Sequence, residues 1–286
     1  MPKADLGRTE NMMTNLKILS LGGGVQSTVL ALLADEGAFG DKPDAAIFAD
    51  THWELPETYE NIKWLQKTLS YPVHVVDGGL NLREDTEALR NHSGNTKFIE
   101  IPLYLKGSDR TGNGLGKRQC TTNYKIKPVH NKARELLGLK PRQKIPAGTR
   151  VEMWLGISLD EIVRMRDSRD WWIVNRYPLV DANMTRQDCN SWWKANHEWS
   201  LARSACAACP FQSRSRWIQL KENHPDLFDA AVKLDSSIRD GLNYVDEPYL
   251  HKTRRPLAEA VALDQAQQLL PFEDDFMAEC EGHCGL

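Results

Sequence analysis

The sequence predicts an α/β fold, a doubly wound and mostly parallel sheet followed by a helical C-terminal third. Short apolar runs typical of buried strands alternate with segments of helical periodicity in the first part of the chain. This alternation favours βαβ units, in which helices cover both faces of a parallel sheet. From Thr185 onward, most periodic segments are helical. The chain therefore combines a sheet domain with a mostly helical region.

The first half of the predicted sheet consists of three strands joined by two helices. We expect the strands at Leu16–Leu21, Ala45–Ala49 and Val73–Val76, and the helices at Ser27–Glu36 and Pro56–Leu69. Proline suits the start of the second helix, because the N–H that it lacks would have no partner there.

A glycine- and asparagine-rich segment, Asn91–Arg118, interrupts this alternation. Loops of this length in a compact domain tend to be lids or binding loops. A helix at Tyr124–Leu137 and a strand at Val151–Ile157 follow it. The resulting organisation is a polar tail at residues 1–15, an α/β domain at residues 16–184 and a helical region at residues 185–286.

The composition describes a globular chain with little net charge. Hydrophobic residues make up 41% of the 286 residues, charged residues make up 26%, and the formal net charge is -3. A chain of this charge has no general attraction for nucleic acid or anionic membranes, so any basic site must be local. The sequence lacks an apolar run of about 18 residues or more and the apolar core of a signal peptide. A cytoplasmic location without membrane contact is therefore expected.

The stretch "LGGGVQST" joins the first strand to the first helix through three consecutive glycines. A glycine-rich turn at this point directs backbone N–H groups and the positive end of the helix dipole to one place, as in anion sites. The alternative is a tight turn without a ligand. The spacing matches neither G-x-G-x-x-G nor G-x-x-x-x-G-K-[ST], which disfavours a dinucleotide or Walker site.

The same loop resembles the S-G-G-x-D-S pattern of the PP-loop superfamily, which has the adenine nucleotide alpha-hydrolase-like fold. Gly22 stands at the position of the first serine, and Gln26 stands at the position of the aspartate. ATP-splitting members use this loop to hold pyrophosphate, whereas phosphoadenylyl-sulfate (PAPS) reductases often have a G-I-Q-like loop, which Gly24-Val25-Gln26 resembles. The resemblance favours an adenylyl sulfate over ATP.

Further segments resemble the PAPS reductase family in the same order along the chain. They are "FADTHWELPETYENIKWL", "KRQCTTNYKIKPVHNKARELL", "MWLGISLDEIVRMRDS" and "YPLVDANMTRQDC". Asp50 and Thr51 would lie at the carboxyl end of the second strand, where open α/β sheets bind ligands. Arginine forks in the second and third segments suit phosphate or sulfate. The nucleotide-binding residues expected from this resemblance are Ser20, Gly22, Gly23, Gly24, Gln26, Ser27, Asp50, Thr51, Arg118, Arg164 and Arg166.

Six cysteines in a chain expected in the cytoplasm are more often metal ligands or reactive thiols than disulfide partners. Cys206 and Cys209 form a C-x-x-C followed by proline, a spacing that lets two thiolates reach one metal. Spacing alone leaves a redox pair, zinc and iron–sulfur open. The position late in the chain favours metal ligation over a thioredoxin-like redox pair.

Resemblance to the iron–sulfur sulfonucleotide reductases implies a [4Fe–4S] cluster with the ligands Cys120, Cys206, Cys209 and Cys284. Those enzymes have a Cys-Cys pair where this chain has Gln119-Cys120, so one ligand must come from elsewhere. The terminal "ECEGHCGL" resembles their tail, whose cysteine attacks the substrate sulfur. We therefore expect Cys280 to be the nucleophile. The reverse roles of the two tail cysteines, and a three-cysteine cluster with an open iron, are the alternatives.

The resemblance implies a sulfonucleotide reductase that converts an adenylyl sulfate, with or without a 3′-phosphate, to sulfite by using a thioredoxin-like thiol donor. The first alternative is an enzyme that uses ATP to adenylate and thiolate a nucleic acid, like tRNA thiolases or the DNA phosphorothioation enzyme. Only that alternative requires a nucleic-acid partner. A nucleotide- or cluster-binding sensor is the second alternative. A homo-oligomer is compatible with the sequence.

Overall fold

The computed structural model describes residues 15–107, 112–201, 204–242 and 244–266. The strands in these ranges are β1 (Asn15–Leu21), β2 (Ala45–Ala49), β3 (Val73–Val76), β4 (Tyr104–Lys106), β5 (Gly114–Leu115), β6 (Arg150–Leu155), β7 (Ile173–Arg176) and β8 (Glu247–Tyr249). The α-helices are α1 (Val25–Asp35), α2 (Pro56–Thr68), α3 (Leu82–Glu87), α4 (Lys127–Leu136), α5 (Pro178–Asp181), α6 (Arg186–Asn196), α7 (Arg214–Asn223), α8 (Pro225–Gly241) and α9 (Leu257–Ala266). A π-helix, Thr121–Ile126, precedes α4, and a 3-10 helix, Leu159–Arg164, follows β6.

A five-stranded parallel sheet in the order β3-β2-β1-β6-β7 forms the centre of the molecule and confirms the predicted α/β class. One hydrophobic core contains residues of α1, α2 and α6, among them Leu30, Leu65 and Trp193. A second core contains Val129 and Ala133 of α4. The sheet therefore has helices on both faces, which bury its apolar strands on both sides.

The order of the strands creates a topological switch point between β1 and β6. From β1 the chain proceeds through β2 to β3 on one side, whereas β6 and β7 extend the sheet on the other side. The connection after β1 and the connection after β6 therefore run to opposite sides of the sheet. Between two such strands a crevice forms at their carboxyl ends, and open α/β sheets bind ligands there. The glycine loop after β1 lies at this edge.

A third core is built from α7, α8, α9 and the segments around Leu82, Leu103 and Tyr124. It adjoins an antiparallel sheet of order β5-β4-β8. The sequence predicted only a loop at Asn91–Arg118, and β4 and β5 within it were missed, because two- or three-residue strands are too short to show a periodicity. No helix of the described residues is long and apolar enough to cross a membrane.

The turn between β1 and α1 depends on Gly23. Its φ of 80° lies in the left-handed region, which glycine adopts without a steric cost. A Cβ atom here would lie 2.9 Å from Cγ2 of Thr58. The turn brings the start of α1 close to α2, and α1 begins at Val25, two residues before the predicted start.

Gly23→Ala should destabilise the protein more than Gly37→Ala does. Gly37 also has a positive φ, 84°, but a Cβ built there meets no described atom within 4 Å other than those of its immediate chain neighbours. In both variants, alanine must adopt a left-handed backbone conformation, which costs about 1–2 kcal/mol. Only Gly23→Ala also creates a steric clash with Thr58. In urea denaturation, we expect the free energy of unfolding to fall roughly 1–3 kcal/mol further for Gly23→Ala. Equal losses in the two variants would contradict this reading of the turn.

Candidate functional site

The start of α1 lies at the carboxyl edge of the sheet. Gly24 is extended at the N-cap position and makes no side-chain cap to the helix. Ser27 Oγ donates to the Gly24 carbonyl at 3.2 Å, and Ser20 lies buried at the end of β1. The first-turn N–H groups of a helix attract an anion when no side chain satisfies them. The geometry suits the predicted phosphate cradle.

Asn61 of α2 holds this loop through hydrogen bonds to its backbone and to α1. The sequence analysis did not identify this residue. Its Nδ2 donates to the Gly23 carbonyl at 3.0 Å and to Thr28 Oγ1 at 2.9 Å. The side chain is buried. A single asparagine in an amphipathic helix carries no local signal for this role, because the partners lie 33 and 38 residues away.

Gln26, predicted to bind nucleotide, points across the crevice to the segment after β6. Its Nε2 donates to Ser158 Oγ and to Glu161 Oε2, each at 2.9 Å. Glu161 Oε2 also accepts from Arg164 Nη1 at 2.7 Å. Gln26, Ser158 and Glu161 are fully buried. The structure therefore joins two predicted residues, Gln26 and Arg164, through a glutamate that was not predicted.

Asp50 lies at the carboxyl end of β2, as predicted, and orders the turn that follows. Its Oδ1 accepts from the Tyr59 hydroxyl at 2.8 Å and from the His52 backbone N–H at 2.7 Å. His52 has a φ of 58°, and its Nε2 lies 3.0 Å from Asp77 Oδ2 after β3. Hydrogen bonds from the Gly79 N–H and from His52 lower the pKa of Asp77. The ends of β2 and β3 are thus linked by polar contacts.

Thr51 connects this strand end to the C-x-x-C segment. Its Oγ1 lies 3.3 Å from Cys206 Sγ and donates to Glu54 Oε1 at 3.2 Å. Lys125 of the π-helix donates to the same Glu54 oxygen at 3.0 Å. Burial raises the pKa of the Cys206 thiol well above its ordinary value, Glu54 acts in the same direction, and Lys125 opposes both. A predicted nucleotide residue and a predicted metal ligand are therefore in contact.

Two of the three described cysteines of the predicted cluster, Cys120 and Cys206, pack against the third core. Cys209 is close to Cys206 through the C-x-x-C turn, in which the Cys209 N–H donates to the Cys206 carbonyl at 3.0 Å. All three are half-buried. Within the described ranges, however, no three Cys, His, Asp or Glu side chains are arranged to hold a metal ion. The thiols have the right chemistry for iron, but on their own they do not close a ligand set.

Two further predicted arginines contact an aromatic ring and backbone carbonyls, and the two tail cysteines lie outside the described ranges. The Arg118 guanidinium lies 5.3 Å from the centroid of the Phe211 ring. Arg166 Nη1 donates to the carbonyls of Val163 and Met165, each at 2.7 Å. Cys280 and Cys284 lie outside the described residues.

Comparison with known proteins finds a family match for the part of the chain that contains the glycine loop, Asp50 and Thr51. Residues 17–148, just under half of the chain, match the model of the phosphoadenosine phosphosulfate reductase domain. No curated protein matches the chain. Among solved structures, a phosphoadenylyl-sulfate (PAPS) reductase from Candida auris in a phosphate complex is similar, with 14% identity, a TM-score of 0.40 and coverage of 65% of this chain and 74% of that chain. Residues 17–148 of this chain form a phosphoadenosine phosphosulfate reductase domain.

Proposed function

We propose that the protein is a sulfonucleotide reductase that reduces an adenylyl sulfate to sulfite. The observation that carries this proposal is the contact between Thr51 and Cys206, because it places a cysteine thiol at the strand end beside the glycine loop. The reductase domain at residues 17–148 supports it. The uncapped start of α1 supports binding of an anionic nucleotide.

The proposed reaction begins with a cysteine thiolate, which we assign to Cys280. Its sulfur attacks the sulfur of the adenylyl sulfate, the bond from that sulfur to the phosphate oxygen breaks, and the nucleotide leaves with the electron pair. A dithiol carrier of the thioredoxin type then attacks the resulting S-sulfocysteine. Sulfite and the Cys280 thiol are released, and the carrier is oxidised to a disulfide. The carrier supplies the two electrons that convert S(VI) to S(IV).

We further propose a [4Fe–4S] cluster held by Cys120, Cys206, Cys209 and Cys284. The packing of Cys120 and Cys206 against one core and the C-x-x-C turn that joins Cys206 to Cys209 support it, and the fourth ligand would have to come from the tail. A bound cluster would supply redox-active iron near Thr51. In this scheme, the described residues supply the phosphate cradle and the polar contacts around Thr51.

Product analysis tests the proposed reaction. Anaerobically purified protein should release sulfite from PAPS or from adenylyl sulfate when a dithiol carrier is present, and no pyrophosphate from ATP. Cys280→Ser should lower sulfite release at least about a hundredfold, because the attacking thiolate is lost. Cys189→Ala is the matched control, since this cysteine is buried in the core beside α1. Failure of both sulfonucleotides to give sulfite, or AMP and pyrophosphate formed from ATP, would overturn the proposal and favour the ATP-dependent alternative.

Iron analysis tests the cluster without relying on activity. We expect iron and acid-labile sulfide in the purified protein, with loss of both in Cys209→Ser and Cys284→Ser. Cys280→Ser and Cys189→Ala should retain them. Equal iron in all four variants would contradict the assigned ligands. Retention in Cys284→Ser together with loss in Cys280→Ser would reverse the roles of the two tail cysteines.

A further inference from the structure

We infer that Glu161 is a positioning residue that holds Gln26 and Arg164 across the crevice and requires an uncharged side chain at position 26 for an anionic nucleotide to bind. The inference rests on the proposed nucleotide site and extends it. The sequence pattern marks Gln26 as a departure from aspartate, and Glu161 supplies the physical reason for that departure.

The orientation of the Gln26 amide follows from the chemistry of its partner. Glu161 Oε2 accepts from Arg164 Nη1, and the Gln26 atom that lies 2.9 Å from this oxygen is the amide nitrogen, the donor of the pair. The other amide hydrogen serves Ser158 Oγ at the same distance. Both donors are therefore directed away from any ligand on the glycine loop. Gln26 acts on a ligand through the shape and charge of the crevice.

These hydrogen bonds span the topological switch point. Gln26 belongs to the first turn of α1, which follows β1, and Ser158 and Glu161 follow β6, the neighbouring strand. The pairs are separated by 132 and 135 residues. They connect the two walls of the crevice in which open α/β sheets bind ligands. Movement of Glu161 would therefore change the distance between the glycine loop and Arg164.

Glu161 and Arg164 form a buried ion pair at this point. Glu161 has a fully buried side chain, and that of Arg164, which donates to it at 2.7 Å, is 11% exposed. Gln26 contributes a neutral amide to this pair. A carboxylate at position 26 would lie within hydrogen-bond distance of Glu161 and would leave an excess negative charge. Two carboxylates so close repel each other, and the excess charge repels an anionic ligand.

The backbone at Glu161 also departs from its surroundings. Its φ of -110° and ψ of 17° break the helical path between Leu159 and Arg164. This region of conformational space is sparsely populated, and residues of active sites are often found in it. The break separates the start of the 3-10 helix from the turn that carries Arg164.

An isosteric charge exchange tests the inference. Gln26→Glu adds a charge without changing the shape of the side chain, and Q26E/E161Q restores one carboxylate and one amide with their positions exchanged. Gln66→Glu is the matched control, because it adds a charge on α2, where Gln66 donates to the Val73 carbonyl in an exposed position. Calorimetric titration of each full-length variant with adenylyl sulfate, PAPS and ATP, without a thiol carrier, measures the affinity.

We expect Gln26→Glu to bind at least about tenfold more weakly than the parent protein to whichever nucleotide the parent binds. The double variant should recover most of the lost affinity, and Gln66→Glu should bind the nucleotide as tightly as the parent protein. The thermal midpoint of each variant is recorded, since a purely structural role would lower the midpoint and leave the affinity of the folded fraction unchanged.

Parent-like binding by Gln26→Glu, a double variant no better than the single one, or a parent that binds none of the three nucleotides would overturn the inference. The proposed reaction fails separately. If the parent binds a nucleotide with this pattern but releases no sulfite, the role of Glu161 stands and the reductase assignment falls. If sulfite forms and the charge exchange has no effect on affinity, the reductase assignment stands and the proposed role of Glu161 falls.

Discussion

The parallel pairing of β1 with β2 on one side and β6 on the other is the constraint on which the rest of this structure depends. It brings the carboxyl ends of strands that are more than a hundred residues apart in sequence to one edge of the sheet. The glycine loop, the turn after β2 and the segment after β6 all start at that edge. Each can contribute to a common site only because the hydrogen-bonded register aligns the strand ends.

Contacts beyond the sheet bring the cysteine segment to the same edge. The Ala207 N–H donates to the Trp53 carbonyl at 2.7 Å, so the backbone of the C-x-x-C turn is anchored two residues after Thr51. Trp53 and Ala207 are both buried in the third core. Packing of the helical part of the chain therefore determines where the C-x-x-C segment lies relative to the end of β2. In the sequence the two segments have no visible connection.

The structure changes the meaning of the most informative residue of the glycine loop. Sequence comparison treats Gln26 as a phosphate-loop residue whose identity separates classes of substrate. In the folded chain its amide is hydrogen-bonded to Ser158 and Glu161. The identity of residue 26 is therefore tied to buried side chains of the segment after β6.

The sequence by itself determined the α/β class, the positions of β1, β2 and β3, and the reductase domain, because these depend on local periodicity and on short motifs of fixed spacing. Gln26 and Thr51 were also predicted site residues, but the contacts that they make were not predicted. Only the tertiary structure decided that Gln26 meets Glu161, that Thr51 meets Cys206 and that Asn61 supports the glycine loop. Such contacts join residues 38 to 155 positions apart, where neither periodicity nor motif spacing carries information, and packing and buried hydrogen bonding select the partner.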